Sequence, residues 1–446
     1  MLEKIKNILR DTDERQLLHN VLGNYILKFG SMILVFLLMP KYIQYFESQK
    51  LLGVWLTSLE IYSLAVLFDF GIGYGVRNLI VEPLHKNDTL KLKKIISTGF
   101  ISVTLIVLII TAMGSLIIYG SNWNQLLNVS TEEVAKLELR KIILAFMFGM
   151  ALYVYSSVIN SILFALQKAI IPYLLIFISD LSIYVYIKYS LFNNFDFNFI
   201  NLIYVKIIST IIPLIIVLFY LFKKPLKGTL PSTKHFCKKS LKSIFNLGGK
   251  LFIIQLLVSL LFNMREIYIS ILVGTDQVVE YQVYFKILGS IGTVYIVALR
   301  PVWSAVTKAN VEKNKSRILS IFKRNSLMLL VLSVFQLVLL MLFPVIARIW
   351  LGDSTIELNV YYGLIFCFYN VLYMWLTLNF NIVSGMNRTE KISFCLTIAV
   401  ILNIVLSVVF SFINSTWISI LLATSISIIP CAIIIPNDLM KAIDKI

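Results

Sequence analysis

Apolar runs of about 20 residues follow one another along this chain twelve times, and nothing else in it constrains the fold as much. That length is what a helix needs to cross the hydrocarbon core of a bilayer. Hydrocarbon offers a backbone no hydrogen bonds, so a spanning segment must satisfy its own, which an α-helix does. Composition agrees. The chain is 59% hydrophobic and 14% charged, with mean hydropathy +0.86, far from the roughly 45–50% and 25% of soluble domains. The polar stretches between runs are short, so no extramembrane domain is expected.

The spans are expected at about 17–46, 51–75, 95–120, 141–166, 170–192, 199–222, 244–273, 278–306, 327–351, 358–385, 392–413 and 417–435. Ahead of them, Leu2, Ile5, Ile8 and Leu9 fall at helical spacing among charges, which suggests a short amphipathic helix on the inner membrane face. No cleavable signal peptide is visible, because 1–15 is polar and the first apolar run is too long for one.

The formal net charge of +17 raises the question of nucleic acid. The placement of the basic residues answers it. They concentrate in the loops after spans two, six, eight and ten and at both termini, whereas the other loops are neutral or acidic. One topology fits: both termini in the cytoplasm, in a multi-pass membrane protein with no nucleic-acid partner. The strongest of these loops, 223–243, holds Lys223, Lys224, Lys227, Lys234, Lys238, Lys239 and Lys242 with no acidic residue. It lies mid-chain and reads as a cytoplasmic linker between two lobes. The expected organisation is an N-terminal segment 1–16, a six-helix lobe 17–222, the linker 223–243, a second six-helix lobe 244–436 and a tail 437–446.

The halves also align. Asn20-Val-Leu-Gly-Asn is similar to Asn246-Leu-Gly-Gly-Lys, and setting Gly23 on Gly249 gives an offset of 249 − 23 = 226 residues. That offset places Trp55 on Tyr281, Glu60 on Lys286 and Gly75 on Pro301. Six spans per half make the repeats parallel, related by an axis along the membrane normal.

A charge at the centre of a membrane helix costs about 2.5–3.5 kcal/mol on insertion scales, so each needs a partner or a watery cavity. Lys28, Glu60, Asp69, Asp180, Lys206, Arg265, Glu266, Lys286 and Arg300 lie deep in spans, where ion pairing that only helps the lobes pack is the plainer alternative to function. Lys28, Arg265, Lys286 and Arg300 are the candidates for gripping an anionic group such as a diphosphate or acidic sugar, Arg as a bidentate donor and Lys as a point charge. Glu60, Asp69, Asp180 and Glu266 are candidates for binding a coupling proton or sodium ion, since desolvation makes a carboxylate exchange protons near neutral pH. Gly71, Gly73 and Gly75 follow Asp69 and allow a bend or close helix contact. No cofactor is expected. Cys237, Cys367, Cys395 and Cys431 lack metal spacing, and the three histidines form no nucleophile–base constellation.

The Asn-rich first span, the Leu52-Gly-Val-Trp55 start of the second and its Asp69-Phe-Gly-Ile-Gly close resemble the Wzx-type flippases. These are the O-antigen and capsular-unit members of the multidrug/oligosaccharidyl-lipid/polysaccharide exporter superfamily. The resemblance covers the chain in span number, lobe division and loop pattern. It implies an all-α fold of two six-helix lobes, V-shaped around a central cavity. It implies a non-enzymatic carrier that moves undecaprenyl-diphosphate-linked oligosaccharide between leaflets by alternating access, with an ion gradient, membrane lipids and other polysaccharide-assembly proteins as its partners. Three alternatives stand beside it. A multidrug or cation antiporter of the same fold would favour acidic and aromatic cavity residues. A major-facilitator carrier would show a Gly-x-x-x-Asp-Arg-x-Gly-Arg-Arg signature, which the chain lacks. A Wzy-type polymerase, an enzyme, would carry a large outer loop, and the outer loops here are short.

Overall fold

A computed structural model describes residues 12–46, 48–126, 136–193, 199–352, 359–386, 388 and 390–444. The amphipathic segment expected near Leu2–Leu9 lies outside the described residues. Every regular element among them is helical. In order these are α1 (Thr12–Phe46), α2 (Gln49–Ser63), a 3₁₀ turn (Leu64–Asp69), α3 (Ile72–His85), α4 (Thr89–Gly120), a single turn (Trp123–Leu126), α5 (Lys136–Ala165), α6 (Ile170–Phe192) and α7 (Phe199–Lys223). A short 3₁₀ turn (Thr233–His235) precedes α8 (Lys238–Phe262), α9 (Arg265–Leu272), α10 (Thr275–Ile287), α11 (Gly289–Val311), α12 (Lys315–Leu351), α13 (Val360–Gly385), α14 (Glu390–Ile413) and α15 (Trp417–Ile443).

Eleven of these helices are long and apolar enough to cross a membrane, and twelve when Lys238–Gly249 and Phe252–Phe262, bent by 43°, count as one span. Large apolar side chains stand bare on their outer faces, among them Met341 at 80% and Ile349 at 81% exposure. A water-soluble chain does not carry such surface at this scale; a chain dissolved in lipid does.

The expected repeat is visible in where helices start and stop. Phe46 and Leu272 end helices, Gln49 and Thr275 begin them, and so do Thr89 and Lys315; each pair is 226 residues apart. Trp55 and Tyr281, paired by the same offset, are both fully buried.

Two compact units make up the chain. The first takes the described residues of 1–47, 61–126 and 130–253. Its core is built from α3, α4 and α5 around Ile72, Val76, Ile96, Val103, Val158 and Ile162, with Ile244 of α8 included. The linker belongs to this unit and is held down. Leu226 and Thr229 are buried. The Ser232 N–H donates to Ser97 Oγ at 3.0 Å and the Cys237 N–H to Thr98 Oγ1 at 3.1 Å, both on α4. Its seven lysines remain exposed.

The second span breaks where Asp69 meets the glycines. Phe70 and Gly71 take left-handed φ values of 49° and 82°. The Asp69 carboxylate closes the break, accepting the N–H groups of Gly71 and Gly73 at 2.8 Å each. These are first-turn donors of α3 that the helix itself leaves unpaired.

The second unit takes the described residues of 48–60 and 254–446. Trp417 forms its centre, packed on Tyr281, Tyr284, Tyr362 and Phe366. Gly53 is required here, since a Cβ would overlap the Thr275 carbonyl. The eighth span, expected as one run over 278–306, starts earlier, at Thr275, and is interrupted at Leu288. The Leu288 carbonyl accepts from Gln336 Nε2 and Asn370 Nδ2, both at 3.3 Å, so two buried amides satisfy the interruption.

Candidate functional site

The seventh span also breaks, at Asn263–Met264. The Asn263 and Met264 N–H groups both reach back to the Ser259 carbonyl, at 2.9 and 3.1 Å, and α9 then starts afresh at Arg265. A cation at a helix N-terminus opposes the macrodipole, whereas Glu266 in that first turn suits it. Arg265 is therefore held there by its surroundings. It is 7% exposed and Glu266 8%.

Those surroundings are aromatic. The Arg265 guanidinium carbon lies 4.6 Å from the Tyr369 ring centre and 5.8 Å from those of Tyr281 and Phe285. The rings come in pairs one helical turn apart. Tyr281 and Phe285 stack along α10, with centres 5.9 Å apart and planes at 24°. Tyr369 and Tyr373 stack along α13 at 6.1 Å and 10°. Phe262, at the end of α8, closes on Tyr373 at 4.5 Å. Cation–π attraction of up to about 2 kcal/mol per desolvated contact offsets part of the cost of burying the charge. Guanidinium carries five N–H donors, and attraction to ring faces does not by itself give them acceptors. Two of them, Nε and Nη1, are buried with no hydrogen-bond partner among the described residues.

The carboxylate beside it is held separately. Gln282 Nε2 donates to Glu266 Oε1. Glu60 and Lys286, the two residues paired by the repeat offset, both act electrostatically on Glu266, as does Arg265. The second unit thus assembles Glu60, Arg265, Glu266 and Lys286 from three separate stretches of chain.

The remaining sequence candidates lie elsewhere. Lys28 sits half-buried on α1 in the first unit. Asp69, also there, is the cap described above. Asp180 on α6 acts electrostatically on Lys206 of α7. Lys206 Nζ donates to Ser179 Oγ at 3.0 Å and lies 5.7 Å from the Tyr62 ring centre. Arg300 is on α11, and its side chain lies outside the described residues. Sequence reasoning did not single out the rings around Arg265 or the Gln282 clamp. Their only signal was the four-residue spacing of Tyr281 with Phe285 and of Tyr369 with Tyr373. Among the described residues no group of three or more His, Cys, Asp or Glu could hold a metal ion.

No family model matches the chain, and no curated protein does. Solved structures do. An inward-facing multidrug resistance MATE family transporter of the MOP superfamily aligns over 95% of this chain and 96% of its own, with TM-score 0.72 and 15% identity. The lipid II flippase MurJ, in an inward closed conformation, aligns over 94% of this chain and 87% of its own, with TM-score 0.73 and 17% identity. A MOP superfamily transporter from Pyrococcus furiosus, described as having a binding pocket of reversed polarity and a different function, covers 98% of this chain and 97% of its own at TM-score 0.68 and 14% identity. These likenesses show the fold: an all-helical, multi-pass membrane protein with the architecture of transporters and a flippase.

Proposed function

We propose that the chain is a flippase for undecaprenyl-diphosphate-linked oligosaccharide repeat units. It would carry them from the inner to the outer leaflet of the bacterial cytoplasmic membrane by alternating access, for O-antigen, capsule or a related surface polysaccharide. The observation that carries this reading is Arg265, a buried guanidinium fixed by rings on its faces, with two edge donors unpartnered among the described residues. Buried donors that the chain leaves without an acceptor call for one from a ligand, and an anionic group such as a diphosphate supplies it. Lys28, Lys286 and Arg300 complete the proposed anion-binding set, and Glu60, Asp69, Asp180 and Glu266 are the proposed sites of proton or sodium coupling. Both termini and the 223–243 linker face the cytoplasm in this reading, and other polysaccharide-assembly proteins are its partners. Similarity in fold to a lipid II flippase supports a lipid-linked cargo.

A multidrug or cation antiporter is the second reading. It draws on the same rings together with Glu266, a combination that suits organic cations. The test is export of the glycan in cells carrying Arg265→Ala or Lys28→Ala. Each variant should reach the membrane at normal abundance and leave the lipid-linked glycan on the inner leaflet. Normal export by both would end the flippase reading.

A further inference from the structure

We infer that Arg265 sets the polarity of the site by occupying, as a tethered guest, a cage built for a cation. The cage is complete without it. Tyr281, Phe285 and Tyr369 come from two helices outside Arg265's own and surround the guanidinium at 4.6–5.8 Å. Glu266 is anchored beside it by Gln282, while Glu60 and Lys286 act on that carboxylate with opposite signs. Three rings and a carboxylate held beside them are what a small organic cation needs in a desolvated site. Here the chain supplies that cation as one of its own side chains. A tethered guest sits at very high effective concentration, so a free cation cannot compete with it. The guanidinium keeps two donors, Nε and Nη1, without a partner among the described residues, and the site calls for an anion instead. Arg265 is thus the specificity-determining residue, and removing it leaves a receptor for guanidinium-type cations.

The inference rests on the anionic-cargo reading for its biological meaning, and its test reads cation binding rather than export. Full-length protein in nanodiscs, as wild type, Arg265→Ala and Arg265→Ala/Glu266→Gln, is titrated with methylguanidinium and with methylurea, its neutral planar counterpart. Dissociation constants come from calorimetry and stabilisation from thermal melts. Arg265→Ala should bind methylguanidinium at least ~10-fold more tightly than wild type, a difference within the reach of one desolvated cation–π contact. It should ignore methylurea, and Glu266→Gln in that background should remove most of the gain. If Arg265→Ala is not monodisperse on extraction, methylguanidinium present throughout should restore it and methylurea should not. Equal effects of the two compounds, or none of methylguanidinium by either route, would overturn the inference. Loss of export in Arg265→Ala without cation binding leaves the flippase reading standing. Cation binding with normal export leaves the cage standing and, where Lys28→Ala also exports normally, removes the flippase reading.

Discussion

At the scale of single residues, the break in the second span makes the sharpest demand. Gly71 has φ 82°, and a Cβ there would sit 2.6 Å from the Gly248 carbonyl oxygen. A side chain in the left-handed region costs about 1–2 kcal/mol before any clash is counted. Gly71→Ala should therefore lower the melting temperature of the purified protein, and more so than Gly120→Ala, where a Cβ meets nothing within 4 Å. Equal melting of the two variants would mean that the Gly71–Gly248 approach is not tight. This feature could be read in advance. Asp69-Phe-Gly-Ile-Gly announces a bend, because an aspartate before small residues closes a new helix. The Arg265 cage could not. Its rings lie one turn apart on two helices far apart in sequence, and in a chain with 30 Phe, 22 Tyr and 6 Trp such spacings recur without meaning. Which pair meets the arginine is decided by packing.

Helices as elements were far more legible. The fifth span was expected over 170–192 and runs over Ile170–Phe192. Apolar length fixes a membrane helix, and charged flanks then extend it, as at the N-terminal ends of α4 and α12. Interruptions were not legible at Leu288, where the compensating amides come from α12 and α13, or at Met264, where the Ser259 carbonyl of the preceding turn closes the break. Helix ends also tune chemistry. Cys237 precedes α8, and its thiol lies below the ordinary value because the Ser240 N–H and hydroxyl and the Lys239 N–H stabilise the thiolate, with Lys94 nearby. Cys367, Cys395 and Cys431 are buried. Iodoacetamide at neutral pH should thus modify Cys237 first and the other three only after unfolding, as peptide mass mapping will show. If Cys237→Ser protein takes up label as fast as wild type, the thiolate is not held in this way.

Across the whole molecule, the units do not follow the order of the chain. Residues 48–60 belong with the second unit, and those up to Ile253 belong with the first. The duplicated pattern of helix boundaries was foreshadowed by a weak match around Gly23 and Gly249, whereas this crossing of segments has no signature in sequence. A cut within the linker, after Leu230, would leave each fragment short of part of a unit. Fragments 1–230 and 231–446 expressed singly should be degraded. Expressed together they should copurify through a tag on either one. Stable accumulation of one fragment alone would contradict the division.

The linker gains a different meaning from this. Held against α4 through Ser97 and Thr98, it runs straight into the part of α8 that the first unit already owns. It is not slack between two bodies. The passage from the first unit to the second lies beyond it, between Ile253 and Ile254 in the seventh span. An insertion in 223–237 falls inside one unit rather than at a passage between two, so the glycan export that the flippase reading requires should survive it.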